Sequence, residues 1–156
     1  MPNGDPDWGI TEYPKLEKFF AGISSILEDF AAQHNLKIQK YYHQNSTWSL
    51  QFRHPQGGVG RIQTKKDGNR HVIVRLTWWL DDYEVRKRFL KESDGRKCSL
   101  DRSDLQPLLE EMLRRILSWT KADFDQTFDH PDPKPDDAML AQLERERQKY
   151  PIPKLS

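Results

Sequence analysis

The sequence predicts an α+β fold of two layers. An antiparallel meander sheet of about five to six strands carries N- and C-terminal helices packed on one face. Three observations predict it. Apolar residues recur at three- and four-residue steps over residues 13–35 and again over 104–121. Between them, from 36 to 100, the period is two. Turn-forming clusters, not further helical segments, separate the alternating runs, so successive strands pair antiparallel. A sheet with one apolar face and two helices with one apolar stripe each are most simply covered by one another.

The first helix, 13–35, carries its stripe as Leu16, Phe19, Phe20, Ile23, Ile26, Leu27, Phe30 and Ala31. Thr11 suits its N-cap, and Pro14 suits its first turn, where the missing N–H has no helical partner. Asn35 suits the stop, because Asn tolerates the left-handed conformation. Four strands follow at 36–43, 47–54, 59–65 and 70–80. Three-residue loops at 44–46, 56–58 and 66–68, the last with Gly68 left-handed, pair Ile38 with Phe52, Phe52 with Ile62, and Ile62 with Val72. All apolar positions then share one face, whereas a slip of one residue would split them.

A fifth strand is expected over 83–92, after a turn at Asp81-Asp82. Val85 then faces Trp78, Phe89 faces Val74, and Arg86 and Arg88 stand beside Thr77 and Arg75. As a helix the same run shows only a scattered stripe. Ser93-Asp94-Gly95-Arg96 reads as a hairpin turn into a short strand, 96–100. The second helix is expected from about Asp104 to Lys121, with Ser103 and Gln106 at capping-box spacing and Pro107 in the first turn. Residues 1–121 thus read as one domain. Residues 122–156 read as an acidic, Pro-rich tail with a short helix at 138–150 that Pro151 and Pro153 end.

Composition narrows the function classes. Of 156 residues, 35% are apolar, with 5 Trp, 5 Tyr and 7 Phe, enough for a core but with part of the chain left outside it. No run approaches a membrane span, and the first residues lack the regions of a signal peptide, so a cytoplasmic protein is expected. The single cysteine, Cys98, rules out an internal disulfide and multi-Cys zinc or redox motifs. It falls on the core parity of its strand and reads as a buried thiol. The five histidines show no metal-binding spacing, and no metal or cofactor is expected. His54, on the apolar parity beside Pro55, reads as a hydrogen-bonded strand-end residue. Gly57-Gly58-Val59-Gly60 precedes a strand, where a phosphate loop would precede a helix.

Charge is the clearest functional signal. Residues 36–100 hold 14 Lys/Arg and 6 Asp/Glu, while the rest of the chain holds 11 and 18, and the two blocks nearly cancel to +1. Parity places Lys37, Arg53, Arg61, Lys65, Arg75 and Arg88 on the face opposite the core, interleaved with Tyr41, His43, His71, Ile73 and Trp79. The candidate partner-binding set is Tyr41, Arg53, Arg61, His71, Arg75, Trp79 and Arg88. A basic, aromatic-containing sheet face suits a non-enzymatic binding module for an anionic protein segment or single-stranded nucleic acid. It would also suit a homodimer through Tyr41, Ile73 and Trp79, and its plain alternative is a solvated sheet surface. Two further readings are an apolar-ligand pocket lined by Trp48, Phe52, Trp78, Tyr83 and Phe89, and an enzyme using His43 or His71 as acid/base. No nucleophile, metal set or paired carboxylate converges on either histidine. Asp81-Asp82 and Asp136-Asp137 read as turn and helix-start residues.

Overall fold

In the computed structural model the described residues are 13–41, 47–82 and 87–123, with 137–138, 141, 144–145 and 148–155 nearer the C-terminus. The predicted first helix is two: α1, Tyr13–Ala21, and α2, Ser24–His34. The Gly22 and Ile23 N–H groups bond three residues back, to Phe19 and Phe20 C=O, instead of four. Glycine in a helix interior costs about 1 kcal/mol relative to alanine. The break falls there and still keeps Ile23 fully buried. The stripe itself is buried along both pieces. Asn35 ends α2 in the left-handed conformation, φ 58° and ψ 54°, as its residue type suggests. Thr11 lies outside the described residues.

Strands β1 (Lys37–Tyr41), β2 (Thr47–Arg53), β3 (Val59–Asp67), β4 (His71–Asp82) and β5 (Lys87–Glu92) form an antiparallel meander in chain order. The registers differ from the expected ones by even steps. Ile38 pairs with Leu50, Leu50 with Ile62, and Ile62 with Leu76, displacing the three hairpins by two, two and four residues. An even displacement leaves every side chain on its predicted face. Even-numbered positions from Trp48 to Trp78 therefore make the core face. Gly68 is left-handed, φ 67°, but it opens a three-residue loop at 68–70 instead of closing one at 66–68.

Three further expectations are corrected at the sheet edge. Asp81 and Asp82 are not a turn; β4 runs through both. Phe89 stands opposite Leu80, not Val74, and Arg88 opposite Asp81, not Arg75. Val85 and Arg86 lie outside the described residues. Residues 93–96 are no hairpin turn either, because β6 (Arg96–Ser99) continues in the direction of β5 and pairs with the first half of β4. Ser93 N–H bonds Leu76 C=O, and Leu76 N–H bonds Ser93 Oγ at 2.8 Å. Arg96 then pairs with Val74, so Asp94 and Gly95 together oppose Arg75. This is a bulge of one extra residue. It puts Cys98 opposite Val72 and on the core face.

Helix α3, Arg102–Ser118, starts two residues before the expected point. Asp101, not Ser103, is the N-cap, because its C=O takes the Leu105 N–H at 2.8 Å. Pro107 consequently sits in the second turn. Trp119 leaves the helix extended, and a 3-10 turn, Lys121–Asp123, follows. Leu105, Leu109, Met112, Leu113 and Ile116 join the stripe of α1 and α2 in one core with the even sheet face. Phe20 stacks on Trp48, with ring centroids 5.2 Å apart. The ring of Phe52 lies over Gly60, where a Cβ would come within 2.5 Å of it.

Candidate partner-binding face

The odd-numbered positions of β1–β4 form the face away from the helices. Register arranges its cations. Arg53 pairs with Val59; Arg61, two residues along β3, pairs with Thr77; Arg75 is two residues further along β4. The three arginines therefore lie on a diagonal across three strands, with each step about 7–8 Å. Gln51, Gln63, Ser49 and Thr77 flank this stripe, and the odd-numbered carboxylates of these strands, Asp67 and Asp81, are near strand ends. Asp67 sits 3.4 Å from Lys97.

The face is less open than alternation alone suggests. Ser49 is 0% and Gln51 2% exposed, and Thr47 and Thr77 are also buried. The hydroxyls of Thr47, Ser49 and Thr77 and the Nε of Arg53 are buried without a hydrogen-bond partner among the described residues. Arg61 places its guanidinium 4.0 Å from the centre of the Trp79 ring, and both are half-buried. Such stacking fixes the orientation of the cation over the ring. Arg75 and Lys65 are exposed.

Of the predicted set, the structure brings together Arg53, Arg61, Arg75 and Trp79. Tyr41 lies on edge strand β1, opposite Thr47, and its side chain is outside the described residues. His71 is at the far end of β4, between Asp67 and Ser99 in register. Arg88 lies past the other end, opposite Asp81. His43 is outside the described residues.

Residues the sequence reading did not single out complete the face. Arg53 N–H bonds Pro151 C=O at 2.7 Å, and the Arg53 guanidinium lies 4.0 Å from Glu144. Lys37 Nζ sits 5.7 Å from the centre of the Tyr150 ring. The sequence signal for such a contact is the acidic surplus of the flanks set against basic strands; Pro151 and Pro153, expected to end a helix, also hold the chain extended here.

The other candidate groups are structural. His54 is buried; its Nε2 bonds Ile116 C=O at 2.7 Å, and its Nδ1 accepts the Gln56 N–H at 3.0 Å. It also stacks on Trp78 at 3.8 Å. The carbonyl can only accept, so the Nε2 carries the proton and the ring is neutral. Burial pushes its pKa below the usual value, with the Ile116 bond opposing. The Cys98 thiol is pushed up by burial first and by nearby Asp104 next, which disfavours a thiolate. Trp48, Phe52 and Trp78 are filled in among Phe20, Gly60 and His54. Phe89's side chain and Tyr83 lie outside the described residues.

Fold and face together define a two-layer α+β protein with a diagonal arginine stripe on the sheet face away from its helices. No family model, curated protein or solved structure matches the chain. Among the described residues no helix is long and apolar enough to cross a membrane.

Proposed function

We propose that this protein is a non-enzymatic binding module whose sheet face receives an extended acidic protein segment. The observation that supports it is the Arg53–Arg61–Arg75 diagonal, flanked by uncharged Gln, Ser and Thr. An extended chain advances about 6.6–6.8 Å every two residues, close to the spacing of the stripe. Carboxylates at alternate positions would therefore meet successive guanidinium groups, which suit planar carboxylates better than lysines do. Single-stranded nucleic acid is the weaker fit. Base binding needs a free aromatic face, and the described aromatic beside the stripe, Trp79, already has Arg61 on its ring.

The test is fluorescence anisotropy of a labelled Glu-Ser repeat peptide with the full chain. Binding should weaken with salt. Arg53→Gln, Arg61→Gln and Arg75→Gln should each weaken it about two- to five-fold, the range of a partly exposed charge pair. Lys18→Gln, on α1, should leave it unchanged. Tighter binding of an oligonucleotide, or a dimer in sedimentation that Trp79→Glu dissociates, overturns the acidic-segment reading.

A further inference from the structure

We propose that the described C-terminal residues, 144–145 and 148–154, act as a built-in strap that competes with the acidic partner for the Arg53 end of the stripe. The proposal rests on the reading above and adds its regulation.

The strap is held by an anchor that lies beside the stripe, not on it. Lys154 N–H bonds His34 C=O at 2.7 Å, and Lys154 C=O accepts from His34 Nδ1 at 2.6 Å. Asn35 Nδ2 donates to Ile152 C=O at 2.9 Å. Pro151 C=O accepts the Arg53 N–H. Beta-strand β1 begins at Lys37, so Arg53 has passed the end of its β1 partner, and the strap supplies the bond that β1 would have made. From this anchor the chain sets Tyr150 beneath Lys37 and Glu144 beside Arg53. A carboxylate of the protein's own thus meets the first arginine of the diagonal, as a partner's would.

The hold is reversible by construction. The bonds at 151, 152 and 154 are made by strap backbone, and each can be exchanged for water at little net gain. Ile152 is 61% and Leu155 57% exposed, so these two side chains add little burial, and Tyr150, Pro151 and Pro153 are only half-buried. Its covalent connection gives it a local concentration on the order of millimolar, which offsets weak contacts. A strap closed nine-tenths of the time would weaken partner binding about ten-fold if the two exclude each other.

Two substitutions in the full chain release the strap while leaving every cation of the stripe in place. Asn35→Gly removes the amide that holds Ile152 and keeps the left-handed cap, which glycine adopts freely. Lys154→Pro removes the N–H given to His34. Amide exchange by NMR reads docking without any ligand: Arg53 and Lys154 should be protected in the natural chain, and Arg53 should lose protection in the double variant. Anisotropy with the Glu-Ser peptide should then show several-fold to ten-fold tighter binding by the double variant. Saturating peptide should speed exchange at Lys154 in the natural chain. Unprotected Lys154, or equal peptide affinity in the natural and released forms, overturns the strap while leaving the binding face intact. Absence of peptide binding to both forms at low salt overturns the binding reading and the competition with it.

Discussion

His54 shows how one side chain couples the sheet to a helix. Its two ring nitrogens join the turn after β2, at Gln56, to the last turn of α3, at Ile116, and Trp78 covers one face. Protonation would set an Nδ1–H against the Gln56 N–H. The folded pKa lies below the unfolded value near 6.5, so the unfolded chain binds more protons in acid. His54 therefore adds stability that is fully present above pH 6.5 and is lost as pH falls from there through the folded pKa. The His54→Gln variant lacks this titration. Urea midpoints of the two proteins should differ most at neutral pH and converge in acid; a constant gap would remove His54 as the cause. The sequence placed His54 on the core face, but its helix partner, 62 residues away, left no local signal.

At the scale of elements, the bulge between β5 and β6 divides the edge of β4 between two strands. It requires a glycine, because a Cβ on Gly95 would come within 2.6 Å of Ile73 Cγ2. Gly95→Ala should cost about 1–3 kcal/mol by overpacking. Ile73 is half-buried on the partner face, so Ile73→Ala should cost less and should relieve most of the Gly95→Ala penalty in the double variant. Additive chemical denaturation would show that Gly95 acts by some other contact. Helix α3 carries the opposite sensitivity. Leu109 is fully buried, and Leu109→Ala should cost about 2–5 kcal/mol through the cavity it leaves.

For the whole molecule, the layered arrangement sets an order of local stability. Strands β3 and β4 lie inside the sheet, and Ile62, Val74 and Leu76 are fully buried in the core beneath the helices. Edge strand β1 and the strap rest on fewer buried groups. Hydrogen exchange should therefore be slowest at Ile62 and Leu76, faster in β1, and fastest among the protected amides at Lys154. Strap amides as slow as Leu76 would mean that the C-terminal segment unfolds only with the core. Charge follows the same layering: the strands' surplus of cations contributes the stripe, while the acidic surplus lies in the flanking segments. Such segregation favours association with an opposite charge, from the same chain or another.

Which residues face inward was legible in the sequence, because facing follows from one-dimensional period: 3.6 for the helical stripes, two for the strands. That is why Leu16 to Ala31, Trp48 to Trp78 and Leu105 to Ile116 are where the pattern puts them. The stripe's members were legible for the same reason. Their alignment was not. Register changes by two residues without changing any face, so the pattern is silent on it, and packing across strands decided that Arg61 stands between Arg53 and Arg75. The break at Gly22-Ile23 and the bulge at Gly95 were likewise decided by helix-on-sheet and strand-on-strand fit. For the strap, charge segregation favours an acidic tail lying against basic strands, but its anchor points were decided by tertiary structure: the bonds at 151, 152 and 154 come from backbone groups, which nearly every residue carries and which no side-chain pattern can mark.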